Sequence, residues 1–253
     1  MPEQLVMDRL NDNLTRLKLG RIRESLPETL KAAEMESWSY LHLLDTLLEE
    51  EVAGKEQSRI ERALMCSTLP YLKTLDEFDF AFQPGLNRQQ ILNLFDLTFM
   101  QRKENVVLLG PPGVGKTHLA VALAIKAVQS GLSIHFTTME YLVYRLGIDQ
   151  ESGKIGRGRP YTSDLVVVDE VGYTPIDRQE CNLFYRFVAV RYEKASIVVT
   201  SNKAFDEWSE LFHDQVIVTA ILDRLLHHST VINIKGNSYR LKGKLPGEVT
   251  PDL

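Results

Sequence analysis

The spacing of apolar residues changes near Pro70. Before it, Met7, Leu10, Leu14 and Leu17 recur on one helical face with Gly20 as a stop, and Tyr40, Leu43, Leu44, Leu47 and Leu48 form a second stripe. The two stripes predict a small helical bundle. Residues 49–51 are expected to face water, and Gly54 to break or bend the second helix before 57–65 resumes it. Pro70 and the Pro84-Gly85 pair punctuate a connector, 71–86, that carries no strong period. Beyond it, short apolar runs at 106–109, 134–137, 165–168, 197–200 and 231–234 alternate with helical patterns. Strand runs alternating with helices predict an α/β core with a five-stranded parallel sheet. The expected layout is a helical N-terminal domain over 1–69, a connector over 70–86 and an α/β domain over 87–253. Asp177 followed by Glu180 matches a capping box, and Leu183, Phe184, Phe187 and Val188 give the helix behind it a buried face that also takes in Cys181.

Composition changes this picture little. With 253 residues, 44% hydrophobic and 25% charged, the chain has the makeup of a globular protein with a packed core. No apolar stretch reaches the length of a membrane span, and early acids (Glu3, Asp8) without an apolar h-region argue against a secretory signal. A cytoplasmic location with no membrane partner is expected. Cys66 and Cys181 lie far apart without C-x-x-C spacing, which indicates neither a disulfide framework nor a zinc cluster. The net charge of −5 gives no support by itself for nucleic-acid binding. Bases do gather at Lys154, Arg157 and Arg159, and in the tail at Lys235, Arg240, Lys242 and Lys244. Each cluster reads either as a solvated face or as a phosphate-contacting surface.

The motif that carries chemistry is GPPGVGKT at 110–117, set between an apolar run and a helical segment. In a G-x-x-x-x-G-K-[ST] loop, glycines let the backbone turn tightly and aim N–H groups at phosphate oxygens. The candidate nucleotide-binding residues are therefore Gly110, Pro111, Pro112, Gly113, Val114, Gly115, Lys116 and Thr117, with His118 next in line. Lys116 supplies a point charge, and Thr117 can place a hydroxyl on Mg²⁺ while the helix starting there turns its positive end to the phosphates. Downstream, the apolar run at 165–168 ends in Asp169-Glu170. Asp169 suits the Mg²⁺ shell, and Glu170 suits the polarisation of an attacking water. The bland reading of a lone Asp-Glu is a solvated strand end; the loop upstream disfavours it. At the end of the run at 197–200, Asn202 is chosen over Thr200 and Ser201 as the polar group that reaches the γ-phosphate, and a helix N-cap is the equal alternative.

Phosphate loop, Asp-Glu strand, Asn at the next strand end and then the stretch from Ala220 to His228, containing Asp223-Arg224, follow one another in an order that resembles the AAA+ ATPases. Three segments narrow the resemblance: Tyr71-Leu72-Lys73-Thr74-Leu75-Asp76-Glu77-Phe78-Asp79-Phe80 with Gln83-Pro84, then GPPGVGKTHLA, then Gly236-Asn237-Ser238-Tyr239-Arg240. Together they closely resemble the IstB helper ATPases of insertion-sequence transposition, relatives of the DnaC and DnaA initiator branch, over nearly the whole chain. The resemblance implies an ATPase using ATP and Mg²⁺ that assembles on double-stranded DNA as an ATP-dependent homo-oligomer and helps a cognate transposase choose and engage target DNA. It also implies that Lys116 and Thr117 form the first nucleotide motif, Asp169 and Glu170 the second, Asn202 the sensor and Arg224 an arginine finger. For Arg224 the alternative is a helix-surface ion pair. The basic segment 153–159 falls where initiator-type relatives insert an element that faces DNA. Thirteen residues follow Arg240, too few for the usual helical lid, so lid-based sensing is not expected. Two other functions remain in view: a DnaC-like loader of the replicative helicase, and an ATP-switched DNA-binding module without turnover, against which Glu170 argues.

Overall fold

A computed structural model describes residues 3–212 and 214–242; Lys244 of the basic tail lies outside them. The chain divides into two compact units, residues 1–62 and 63–253.

The first unit is helical. Helices α1 (Glu3–Arg16), α2 (Gly20–Met35) and α3 (Tyr40–Met65) follow one another with short turns. Leu14, Ile22, Leu26 and Leu47 are buried together, with Met7, Leu19, Leu30 and Leu43 packed around them. Three expectations need correction here. Gly20 opens α2, because Lys18 in the left-handed region (φ 57) has already turned the chain. Helix α3 runs through Gly54 without a break, and the Arg21 side chain lies against that glycine. Glu51 does not face water: its carboxylate is buried and accepts from the Arg21 and Ile22 backbone N–H groups at 2.9 and 3.1 Å. These are orphan donors at the start of α2, so a distant acid performs the capping that Leu19 cannot. Those bonds, with Lys55 close by, hold the Glu51 carboxyl below the usual carboxylate range although burial opposes them. Of the second apolar stripe, Leu47 is buried while Tyr40, Leu44 and Leu48 are exposed.

The second unit carries the α/β core. Its elements run α4 (Arg88–Leu94), α5 (Thr98–Gln101), β1 (Asn105–Leu109), α6 (Lys116–Gln129), β2 (Ile134–Thr138), α7 (Met139–Glu151), α8 (Arg159–Thr162) and β3 (Leu165–Val171). Then come α9 (Arg178–Arg191), β4 (Ser196–Ser201), α10 (Trp208–Leu211), α11 (Gln215–Leu226) and β5 (Ser229–Asn233). All five strands are parallel, in the order β2-β3-β4-β1-β5, each within a few residues of its apolar run. Val106, Val107, Leu108 and the valines at 166–168 are fully buried, as strands covered on both faces require. Helix α9 starts with the expected capping box, Glu180 N–H donating to Asp177 at 2.8 Å and Asp177 N–H to Glu180 at 2.9 Å. It buries Cys181, Leu183, Phe184, Phe187 and Val188. Because β1 lies between β4 and β5, the strands leave β1 in different directions and open a crevice at its carboxyl end. The phosphate loop begins there.

Candidate nucleotide site

A cleft of about 440 Å³ lies over the carboxyl ends of β1, β3 and β4. Its floor is the phosphate loop. Gly113 (φ +81) and Gly115 (φ +100) hold left-handed backbone, and a Cβ on Gly113 would strike Ser238 Oγ, one on Gly115 the Phe78 ring. The glycines therefore serve two needs, the turn itself and the close approach of two other segments. Lys116, the first residue of α6, donates from Nζ to the carbonyls of Gly110 (2.7 Å) and Pro111 (2.8 Å). Burial lowers the Lys116 pKa and Arg240 adds to that, while Asp169 and Glu170 act against it. Gly110 and Pro111 form the entry to the loop, and Pro112, Val114, Thr117 and His118 line the cleft. His118 also meets the connector, Nε2 lying 2.8 Å from Thr74 O and the ring edge-on to Phe78.

At the carboxyl end of β3 the two acids part. The β3–β4 register shifts between Val168 and Val171, and Glu170 takes up φ 61, a conformation L side chains seldom adopt. Asp169 is consequently buried beside the loop, and Glu170 is exposed and lines the cleft. The Thr117 hydroxyl donates to Asp169 Oδ1 at 3.0 Å. Adjacent oxygens around an octahedral ion with ~2.0–2.1 Å bonds lie about 2.9 Å apart, so this pair fits Mg²⁺ chemistry. One buried side chain holds both acids: Thr200 donates to Asp169 Oδ1 and accepts from the Glu170 N–H at 3.0 Å. The sequence marks Thr200 only as a polar strand end and favours Asn202 over it, because the role of Thr200 depends on the β3–β4 register. Asn202 also lines the cleft, and its Oδ1 is buried without a hydrogen-bond partner among the described residues. Such an atom is an acceptor awaiting a donor.

Two further walls come from the connector and the tail, which the sequence does not place at the nucleotide site. Tyr71, Lys73 and Phe78 of the connector face the loop, and so do Tyr239 and Arg240 of the tail. Tyr239 N–H donates to Gly113 O at 2.9 Å, and Gln83 Nε2 to Asn237 O at 3.1 Å, so tail, connector and loop are tied together. Burial, with Asp169 assisting, raises the Tyr71 phenol pKa. Arg240 thus stands at the cleft, held there by the bonds of its segment to loop and connector.

The remaining candidates lie elsewhere. Arg224, in the last turn of α11, does not line the cleft of its own chain. Its guanidinium sits over the Tyr185 ring at 5.0 Å and donates to Ala220 O at 3.0 Å; among the described residues it makes no ion pair. Lys154, Arg157 and Arg159 are exposed in and beside the turn joining α7 to α8. That segment is anchored from below by Arg191, whose buried guanidinium donates to Pro160 O (3.1 Å), Ser163 O (2.9 Å) and Ser196 O (2.8 Å). Burial brings the Arg191 pKa down to about 10, so it stays charged at neutral pH.

The family model of IstB-like ATP-binding proteins matches residues 12–246. The ATP-binding protein of insertion sequence IS21 from Pseudomonas aeruginosa is 45% identical over 240 residues, covering 94% of this chain and 91% of that one. Its counterpart in IS5376 of Geobacillus stearothermophilus is 40% identical, covering 94% and 95%. Among solved structures, AMPPCP-bound DnaA from Aquifex aeolicus superposes with a TM-score of 0.53 at 19% identity, over 73% of this chain and 59% of that one, a likeness of fold.

Proposed function

We propose that this chain, which belongs to the IstB-like ATP-binding proteins, assembles on double-stranded DNA as an ATP-dependent homo-oligomer and helps a cognate transposase engage target DNA. It is a P-loop ATPase. The observation that carries the mechanism is the convergence of the phosphate loop, Glu170, Thr200 and Asn202 on one cleft, with Asp169 buried behind it against Thr117, and with Thr200 fixing the two acids.

In this reading Lys116 leaves its two carbonyl partners for the β- and γ-phosphates of ATP, and the loop N–H groups cradle them. Thr117 and Asp169 would hold Mg²⁺, which would supply charge neutralisation for the phosphates. Glu170, aimed into the cleft by its left-handed backbone, accepts the proton of the attacking water. Asn202 orients that water or the γ-phosphate. Arg224, remote from its own cleft, completes a neighbour's site in trans. Arg240 reaches the phosphate chain in cis from the tail.

The DNA and transposase roles are supported by the relatives, which are ATP-binding proteins of insertion sequences, and by the exposed Lys154, Arg157 and Arg159. Functional boundaries are placed at a helical domain 1–69, a connector 70–86 and an ATPase domain 87–253. Among the described residues no helix is long and apolar enough to cross a membrane, and we assign the protein to the cytoplasm. The test is duplex binding by fluorescence anisotropy with a non-hydrolysable ATP analogue or with ADP. Tighter binding with the analogue is expected, and equal binding in both would refute the ATP dependence. Co-purification with a replicative helicase and not with the element's transposase would instead favour the loader.

A further inference from the structure

At the amino ends of β1 and β5, the far end of the sheet from the phosphate loop, helices α9 and α11 finish side by side. The Asn105 N–H donates to His228 O at 2.8 Å, which fixes this end of the sheet to the turn after α11. Helix α9 delivers Tyr192 and Glu193; α11 delivers His227 and His228. One ligating atom from each of Glu193, His227 and His228 lies within 4.8 Å of the other two, and all three residues are exposed. The two imidazole rings are 4.0 Å apart at their centres, and His228 Nε2 is 3.7 Å from Glu193 Oε1. The Tyr192 hydroxyl is 2.6 Å from His227 Nδ1. Glu193 occupies left-handed backbone (φ 57), which brings its carboxylate back toward α11.

We propose that Glu193, His227 and His228 form a surface site for a borderline divalent transition-metal ion, of which Zn²⁺ is the representative, joining the end of α9 to the end of α11. Two imidazoles and a carboxylate are a donor set such ions select, whereas Mg²⁺ prefers oxygen alone. Both helices present their carbonyl ends here, and partial negative charge at a helix C-terminus favours a cation. Tyr192, bonded to His227 Nδ1, leaves Nε2 free and orients the ring, the arrangement that supports a metal-bound histidine from outside. A tetrahedral ion with bonds of ~2.0–2.1 Å needs its donors about 3.4 Å apart, a contraction that exposed side chains can make. Glu193 also bonds the Tyr192 hydroxyl, and Asp223 and Arg224 lie close enough to act on it with opposite signs. A plain ion pair would account for Glu193 and His228 but not for the second imidazole and its tyrosine. The site is independent of the nucleotide reading, though it sits about one turn beyond Arg224 on α11 and stiffens the pair of helices that holds that arginine.

The test uses the full chain without a histidine tag, stripped with chelator and kept in excess Mg²⁺ so that the cleft carboxylates are not titrated. A Cys66→Ser background removes the exposed thiol as a competing ligand. Zinc chloride is titrated by calorimetry, and cobalt(II) by visible absorption, which reads coordination directly. One ion per chain is expected. His227→Ala and Glu193→Gln should each weaken binding by about tenfold or more, and Tyr192→Phe should weaken it on the order of tenfold without abolishing it. Circular dichroism of these exposed-site variants checks that they are folded. No binding up to about 1 mM zinc, or an affinity unchanged in the double variant His227→Ala/His228→Ala, would overturn the proposal.

Discussion

Thr200→Val removes one hydroxyl while nearly preserving shape, and it strikes the hinge of the proposed catalytic geometry. The hydroxyl donates to a carboxylate, a bond worth about 1.5–3 kcal/mol, and accepts the N–H of Glu170 at 3.0 Å, worth about 0.5–1.5 kcal/mol. Valine leaves both partners without that oxygen in a buried setting, so the folded state should lose about 2–4 kcal/mol. The larger consequence is for turnover. Glu170 keeps its unusual backbone because Thr200 and the β3–β4 register shift hold it. With one restraint gone the carboxylate loses its aim, and a misplacement costing about 1.4–2.8 kcal/mol of barrier lowers kcat about 10–100-fold. Nucleotide affinity should change little, since Lys116 and the loop are untouched. Phosphate release on duplex DNA and titration with a fluorescent ATP analogue separate the two quantities, and Thr200→Ser should restore most of the rate. Parental kcat in a folded Thr200→Val protein would refute the role assigned to Thr200.

Other expectations follow from neighbouring features. Arg224→Ala and Lys116→Ala proteins, each inactive alone, should regain part of the ATPase rate when mixed on DNA, because an intact loop on one subunit meets an intact arginine on the next; no recovery in co-assembled mixtures would exclude a finger in trans. Replacing Lys154, Arg157 and Arg159 with Ala should weaken binding to unrelated duplexes to a similar degree and flatten the salt dependence, whereas an unchanged salt slope would move the DNA surface elsewhere. His135 is held neutral by burial, aided by Arg159 and Arg191, with its pKa lowered to about 4. The unfolded chain therefore binds the proton more readily, so stability should fall by up to about 3 kcal/mol as pH drops from about 6.5 to 4. Denaturant melts at pH 7 and 5 should differ less in His135→Gln; an equal difference in both proteins would remove His135 as the source.

Much of this architecture was legible along the chain, and what escaped did so for a common reason. The central strands β1, β3 and β4 announced themselves because they are buried on both faces and so read as apolar runs, as at 165–168, while the edge strands β2 and β5 are only partly buried and rest on runs that polar residues interrupt. The phosphate loop and the Asp169-Glu170 pair are local in sequence. Thr200 acts through strand register, Glu51 caps a helix start thirty residues away at Arg21, and Phe78 packs under Gly115; none of these has a local signature. Helix α2 was not singled out because Gly20 and the internal Pro27 mask its period. Arg240 was legible only as one of the tail bases; the bonds of Tyr239 and Gln83 that tie its segment to the loop and connector have no local signature.

In the proposed mechanism Glu170 activates water while Lys116 serves binding. Measuring ATP affinity and single-turnover hydrolysis side by side in Glu170→Gln and Lys116→Ala tests that division. Glu170→Gln should bind ATP as the parent does and hydrolyse it at least about a hundredfold more slowly, with Lys116→Ala losing affinity itself. Hydrolysis at the parental rate in Glu170→Gln would contradict the assignment.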